Sequence, residues 1–163
     1  MNVFRVAADS SVLIGLSLIK QFDLLKELFH EIYVPYAVYD EVAIKGKGEP
    51  GAKEIEIAIK SGWILRRRIS SELAVKALTA SLSRGEAEVI ILCKELDLDY
   101  ALIDEKTARN AAELLDVNAI GVLGIINLAY KLGFDIDKKK LISQLRDFGF
   151  RISDKLYKKM LSD

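Results

Sequence analysis

Apolar and polar positions follow two rhythms that alternate along the chain. NVFRVAA (2–8) is a short β-branched run and predicts a strand. VLIGLSLIKQFDLLKELF (12–29) spaces its apolar residues as a helix does, with a break near Gln21–Asp23. EIYVP (31–35) predicts a second strand ended by Pro35, and YAVYDEVAIK (36–45) a helix opening after it. GKGEPG (46–51) is the clearest loop, with three glycines and a proline in six residues. Beyond it KEIEIAIKSG (53–62) predicts a helix stopping at Gly62, WILRR (63–67) a strand and SELAVKALTASL (71–82) a helix. Gly85 then opens the amphipathic helix EAEVIILCKELD (86–97). YALID (100–104) is a strand with an acidic end, KTARNAAELLD (106–116) a helix, VNAIGV (117–122) a short strand, and 123–163 is mainly helical. No repeat, linker or low-complexity tract divides residues 1–163, so one domain is expected.

Strands separated by helices of this length favour the α/β class, with a mostly parallel sheet covered on both faces. In such sheets ligands bind beyond the carboxyl ends of the strands, where strand order reverses. The residue after each strand therefore carries the information. After the first strand it is Asp9, and after the strand at 100–103 it is Asp104, followed by Glu105. Two acids nearly a hundred residues apart are thus expected on one edge.

Composition narrows the chemistry. Lysine plus arginine equal aspartate plus glutamate at 24 each, giving a net charge of zero and a pI near 6.6. A chain held on nucleic acid by charge alone would be strongly basic, so any such binding needs a local patch or a bridging cation. Cys93 is the one cysteine and His30 the one histidine, which excludes an internal disulfide and a Cys/His zinc site. His30 has no sequence neighbour with which to form a nucleophile pair and is expected at a helix end or on the surface. The first residues carry no signal-peptide pattern. The longest apolar stretch, AIGVLGIINLAY (119–130), is too short to span a bilayer and contains Asn127. A soluble, cytoplasmic protein is expected.

Each acid has a structural explanation as well as a chemical one. Asp9 can cap the helix that follows, unless Ser10 or Ser11 does so and leaves it free. Asp104 and Glu105 precede a helix, where capping and the macrodipole favour them. Glu41 lies in a helix beside the second strand and can pair with Lys45 at i+4; its neighbour Asp40 points about 100° away. Glu86 and Glu88 sit near a helix start, which the macrodipole also favours. Glu86 is closer to the N-terminal edge of the apolar stripe of Val89, Leu92, Cys93 and Leu96, and is the better placed of the two; Glu88 stays open.

The set says more than its members. Clustered carboxylates raise one another's pKa unless a cation neutralises them. An all-oxygen donor set without His or Cys points to Mg²⁺ or Mn²⁺. Such an ion, with several waters retained, suits phosphodiester hydrolysis, and it attracts a phosphate that bare acids would repel.

VAADSSVLIGLSLI resembles the first motif of PIN-domain proteins, a strand ending in Asp followed by Ser or Thr. SRGEAEVIILCKELDLDYALIDEKTAR resembles the third and fourth acidic motifs joined by their helix, with an interval of 18 from Glu86 to Asp104. A prokaryotic PIN subgroup related to VapC-type toxins is similar also in YVPYAVYDEV, in PGAKEI followed by GW, in AIGVLGIINLAYKLG and in FRISDKLYKKML. The resemblance implies a three-layer αβα sandwich and a Mg²⁺- or Mn²⁺-dependent nuclease acting on RNA. Its acids would be Asp9, Glu41, Glu86 and Asp104, with Glu105 an alternative ligand at the fourth motif and Ser10 the small polar residue beside the first. The third motif often has Asp; here it is Glu86 or Glu88, one methylene longer. Family members that are toxins need a cognate antitoxin protein, and homodimers are common among them.

Arg66, Arg67 and Arg68 are candidate phosphate contacts, with a solvated strand end as the alternative. Arg109, one turn beyond Asp104, is a candidate for orienting a phosphate, with pairing to Glu105 at i−4 as the alternative. Trp63 and Tyr33, Tyr36 and Tyr39 are expected in the core or at its rim, and Cys93 buried. A catalytically idle PIN module that binds RNA or a partner protein is the competing function. A receiver domain would place paired acids at the first strand and a lysine after the last, which ADSS and VNAIGVLG do not provide; a DxDxT phosphatase loop fails because residues 9–13 are DSSVL.

Overall fold

The computed structural model describes residues 3–162. Asn2, the first residue of the predicted opening strand, lies outside them, as do Met1 and Asp163. Five strands form one sheet: β1 (Arg5–Ala8), β2 (Glu31–Pro35), β3 (Ile64–Arg67), β4 (Tyr100–Leu102) and β5 (Ala119–Ile120). Their order is β3-β2-β1-β4-β5 and all four pairings are parallel, where the sequence promised only a mostly parallel sheet. The apolar runs explain this. Val6, Ala7 and Ala8 in β1 and Ala101 and Leu102 in β4 are fully buried, as in strands covered on both faces.

The helices are α1 (Ser10–Leu18), α2 (Leu24–Leu28), α3 (Tyr36–Tyr39), α4 (Ala52–Lys60), α5 (Glu72–Leu78), α6 (Arg84–Glu95), α7 (Lys106–Leu114), α8 (Val122–Lys131), α9 (Lys138–Asp147) and α10 (Asp154–Ser162). They complete a three-layer α/β arrangement. The most buried helix is α6, with Val89, Ile90 and Leu92 essentially inaccessible, and it packs on β1, β2 and β4. On the other elements α1 meets α8, and α8 meets α9.

Three predicted boundaries shift for identifiable reasons. Helix α6 begins at Arg84 rather than after Gly85, because Ser83 and Glu86 form a reciprocal capping box: Ser83 Oγ accepts from the Glu86 amide (3.2 Å) and Glu86 Oε1 from the Ser83 amide (2.9 Å). The S-x-x-E pattern at 83–86 carried that signal. The helix predicted over 36–45 is α-helical only to Tyr39 and continues as a π-helical segment, Asp40–Lys45. The helix predicted over 71–82 ends at Leu78, and Leu82 is buried in the turn beyond it.

The chain returns to the first helix near its end. Phe150 packs where Gly15 leaves room: a Cβ there would lie 2.8 Å from Phe150 Cζ and 3.1 Å from Val122 Cγ2. Gly15→Ala should therefore displace Phe150 and cost about 1–3 kcal/mol by overpacking. Urea denaturation would measure the loss. The double substitution Gly15→Ala/Phe150→Ala should lose less than the two single losses together, since removing the ring removes the clash.

Candidate active site

The order of the sheet reverses between β1 and β4, both of which start crossovers to opposite sides. Their carboxyl ends lie side by side, tied by the Asp9 amide donating to the Leu102 carbonyl at 2.9 Å. That geometry puts Asp9 and Asp104 on one edge, as expected for a ligand crevice at a switch point.

Asp9 stands at the N-cap position of α1 with extended backbone, yet its side chain makes no capping hydrogen bond, and neither Ser10 nor Ser11 caps in its place. Instead Ser11 Oγ donates to Asp9 Oδ2 at 3.1 Å, while Oδ1 is buried with no hydrogen-bond partner. The residue is 3% exposed. Burial pushes its carboxyl up from an ordinary 3.8 to about 6, with the charges of Glu86 and Glu41 adding to the rise; the Ser10 amide and the Ser11 hydroxyl oppose it.

Glu41 and Asp9 converge on Gly85. A Cβ at Gly85 would lie 3.3 Å from Glu41 Oε2, a tight contact, and 3.5 Å from Asp9 Oδ1, an ordinary one, so the glycine in the first turn of α6 gives Glu41 room against the helix. Glu41 reaches this place from the π-helical segment rather than from a regular helix, and π-helical turns often occur at functional sites. No Glu41–Lys45 ion pair forms among the described residues.

Glu86 does two things. Its Oε1 closes the capping box, and its charge is close enough to raise Asp9. Glu88 is occupied elsewhere: 4% exposed, it accepts from the Ala37 amide (3.2 Å) and from Arg84 Nε (2.7 Å). Arg84 also holds Glu72 at 2.5 Å. Glu88 thus fastens α6 to α3, a role that sequence periodicity does not reveal because its partner amide is 51 residues away.

Asp104 does not cap the helix that follows it. Its Oδ1 accepts from the Val122 amide at 2.9 Å, capping α8, and its Oδ2 is buried without a partner. Burial raises its pKa, while the Val122 amide and the charge of Arg109 pull it down. Glu105, exposed, caps α7 by accepting from the Ala108 amide at 3.1 Å. Gly121 is required at the start of α8, since a Cβ there would collide with Asp104 Oδ1.

Two cavities flank the acids. One of about 810 Å³ is lined by Ser11, Asp104, Arg109, Gly121 and Arg151, and the other, of about 510 Å³, by Tyr36, Glu41, Arg68, Arg84 and Gly85. Ser10 is buried in the first turn of α1 and lines neither. Arg66 lies 4.6 Å from the ring centroids of both Tyr36 and Tyr39, and Arg68 lies 4.3 Å from that of Tyr36. Arg67 turns to Tyr33 instead, at 5.8 Å. No Arg109–Glu105 ion pair forms among the described residues.

The donor chemistry fits a hard divalent cation, with two buried, unpartnered carboxylate oxygens and further acids beside one of them. Among the described residues, however, no three of Asp, Glu, His and Cys stand close enough to form a ready cation cage. Glu41 and Glu86 act on Asp9 through their charge, while Ser11, bonded to Asp9, lines the cavity of Asp104.

A parallel five-stranded sheet with acids at its switch point defines a class, and a family model described as DUF3368, PIN domain, matches residues 5–163. The chain belongs to the PIN-domain family, whose members are in general nucleases that typically use divalent metal ions. Among solved structures it is similar to a PilT N-terminus domain protein from the hyperthermophilic archaeon Sulfolobus solfataricus P2, with a TM-score of 0.59 and 20% identity over 81% of this chain and 97% of that one. It is also similar to a domain of a functionally unknown protein from Methanocaldococcus jannaschii DSM 2661, with a TM-score of 0.51 and 19% identity over 73% of this chain and 91% of that one. These likenesses concern the fold. No curated protein matches the chain. No helix among the described residues is long and apolar enough to cross a membrane.

The buried Asp9 carboxyl makes metal-free stability depend on pH. Its folded pKa lies above its unfolded one, so stability is greatest below pH 4 as far as this group is concerned and falls as pH rises through about 6. A shift of this size corresponds to about 3 kcal/mol. In chelator, Asp9→Asn should be more stable than the parent at pH 8 by that order, and the difference should close by pH 4. Thermal melts of both proteins across this range would show it; a difference independent of pH would contradict it. Gly121→Ala should cost about 1–3 kcal/mol by driving Asp104 off the Val122 amide, measurable by urea denaturation.

Proposed function

We propose that the chain is a Mg²⁺- or Mn²⁺-dependent endoribonuclease of the cytoplasm. The carrying observation is the pair of buried, unpartnered oxygens, Asp9 Oδ1 and Asp104 Oδ2, at the ends of adjacent strands. Leaving two carboxylate oxygens dry and unpaired costs several kcal/mol unless a cation offsets it. Asp9, Glu86 and Asp104 are the proposed metal-binding residues. Glu105 is the weaker candidate, because its carboxylate serves α7. When bound, the ion supplies charge neutralisation at the phosphate and a more acidic water.

The chain's own residues do the rest. Ser11 fixes the orientation of Asp9 through Oδ2 and leaves Oδ1 facing the Gly85 side. Arg109, in the cavity with Asp104, orients the phosphate. Glu41, exposed at the rim, accepts the proton of the attacking water. Water oxygen bonds to phosphorus, the bond from phosphorus to a ribose oxygen breaks, and the leaving oxygen takes a proton from solvent. The antitoxin-held toxin role and the homodimer belong to this reading as the family resemblance suggests them. The dispersed acids and the engagement of Glu86 in its capping box favour a second reading, an idle module that binds RNA without cutting it.

Purified protein should cleave a labelled single-stranded RNA in Mg²⁺ or Mn²⁺, stop in chelator, and lose at least a hundredfold in rate in Asp9→Asn. Equal cleavage by parent and Asp9→Asn would mean contamination and refute the assignment. In parallel, saturating metal should raise the melting temperature of the parent by a few degrees, the effect of about 2.7 kcal/mol at a hundredfold excess over Kd. Asp9→Asn should show little of this rise, and a parent without it would support the idle module.

A further inference from the structure

We infer that a single-stranded phosphodiester chain crosses the acids from one arginine pair to another, Arg66 and Arg68 on the Glu41 side and Arg109 and Arg151 on the Asp104 side. The inference rests on the nuclease reading and adds the path of its substrate.

The arginines sort themselves. Arg5, Arg84 and Arg146 are used in ion pairs with carboxylates. Arg66, Arg67, Arg68, Arg109 and Arg151 have no carboxylate within ion-pair distance among the described residues, although the chain has as many acids as bases. Of these, Arg68 lines the cavity of Glu41, and Arg109 and Arg151 line the cavity of Asp104. Arg66 shares the Tyr36 ring with Arg68. Unpaired guanidiniums are therefore concentrated on both sides of the acids.

Local structure holds them there. β3 is an edge strand in parallel register with β2, Arg66 opposite Val34 and Arg67 opposite Pro35, so the arginines leave the sheet at its carboxyl edge, where Asp9 and Asp104 also emerge. Tyr36 and Tyr39 follow directly on β2 and give Arg66 and Arg68 flat surfaces to rest on. A guanidinium stacked on an aromatic face keeps its N–H edge free for phosphate and has already lost part of its rotamer freedom. On the far side Arg151 is placed by its neighbour Phe150, anchored against Gly15.

Asp9 lines neither cavity but touches the wall of each. Its Oδ2 is held by Ser11, which lines the Asp104 cavity, and its Oδ1 approaches Gly85, which lines the Glu41 cavity. A strand following both would carry an internal phosphate past Asp9 with chain continuing on either side. Asp9 is 3% exposed, and a flexible single strand can reach a recessed carboxylate where a stiff duplex cannot.

The test measures binding without turnover. Fluorescence anisotropy would follow a labelled oligoribonucleotide of about twelve nucleotides on the Asp9→Asn chain in chelator, across a series of KCl concentrations. Each phosphate contact on a single strand contributes about 0.7 to the slope of log Kd against log salt. Arg66→Ala/Arg68→Ala should lower that slope by about 1.4 and Arg151→Ala by about 0.7, each weakening binding several-fold at low salt. Lys60→Ala, at the end of α4 and ahead of the amino end of β3, should change neither. Melting curves would confirm that the variants fold, and Arg66→Lys/Arg68→Lys should keep most of the slope.

A deoxyribose strand bound with the same arginine dependence would support the path, since phosphate is the shared chemistry. Absence of binding by the parent, slopes unchanged in all arginine variants, or tighter binding of a duplex would overturn it. Arginine-dependent binding by a chain that never cleaves would sink the nuclease reading alone. Metal-dependent cleavage with no arginine dependence of binding would sink the path alone.

Discussion

Two carboxylates are forced into a dry place by the way the sheet is wound. Parallel strands end together, so placing β1 beside β4 brings Asp9 and Asp104 to one edge whatever lies between them in the chain. The helices that cover the sheet then take water away. Desolvation is the largest influence on both groups, and it acts against the ionised form that a metal or a phosphoryl reaction would need. Much of the surrounding structure can be read as a response: the Ser11 hydroxyl on one oxygen of Asp9, the Val122 amide on one oxygen of Asp104, and glycines at 85 and 121 where a side chain would intrude. Each carboxylate is half satisfied, with one oxygen hydrogen-bonded and the other buried without a partner.

The supporting acids are recruited by helix chemistry. Glu86 closes the end of α6 and Glu88 fastens that helix to α3, so one turn carries a group near the site and a group that positions it. Arg84 bridges Glu88 and Glu72, which couples the start of α6 to α5. Gly85, the second residue of α6, faces both Glu41 and Asp9, so the start of this helix bears directly on the acids.

The parallel topology and the positions of Asp9 and Asp104 were legible in the sequence, since both follow from strands, helices and what stands after each strand. The division of labour among the glutamates was only partly legible. Helical periodicity ranks Glu86 above Glu88 but cannot show that Glu88 accepts from the distant Ala37 amide. Of the two acids that precede α7, Glu105 caps it as a local reading expects, whereas Asp104 caps α8, brought near through the β5 crossover. Arg68 likewise joins the Glu41 cavity only because β3 pairs with β2, a long-range fact that a local reading of RRR does not contain.

The π-helical segment Asp40–Lys45 keeps Val42 and Ala43 buried after Val38, while Glu41 reaches Gly85. A single residue rotates a helix by about 100°. Deleting one residue between Tyr39 and Gly46 would tighten the wide turn into an ordinary one and swing either the apolar pair or Glu41 out of place. Insertions and deletions here should therefore be far more damaging over evolutionary time than point changes, and this stretch should hold its length even in lineages where its composition drifts.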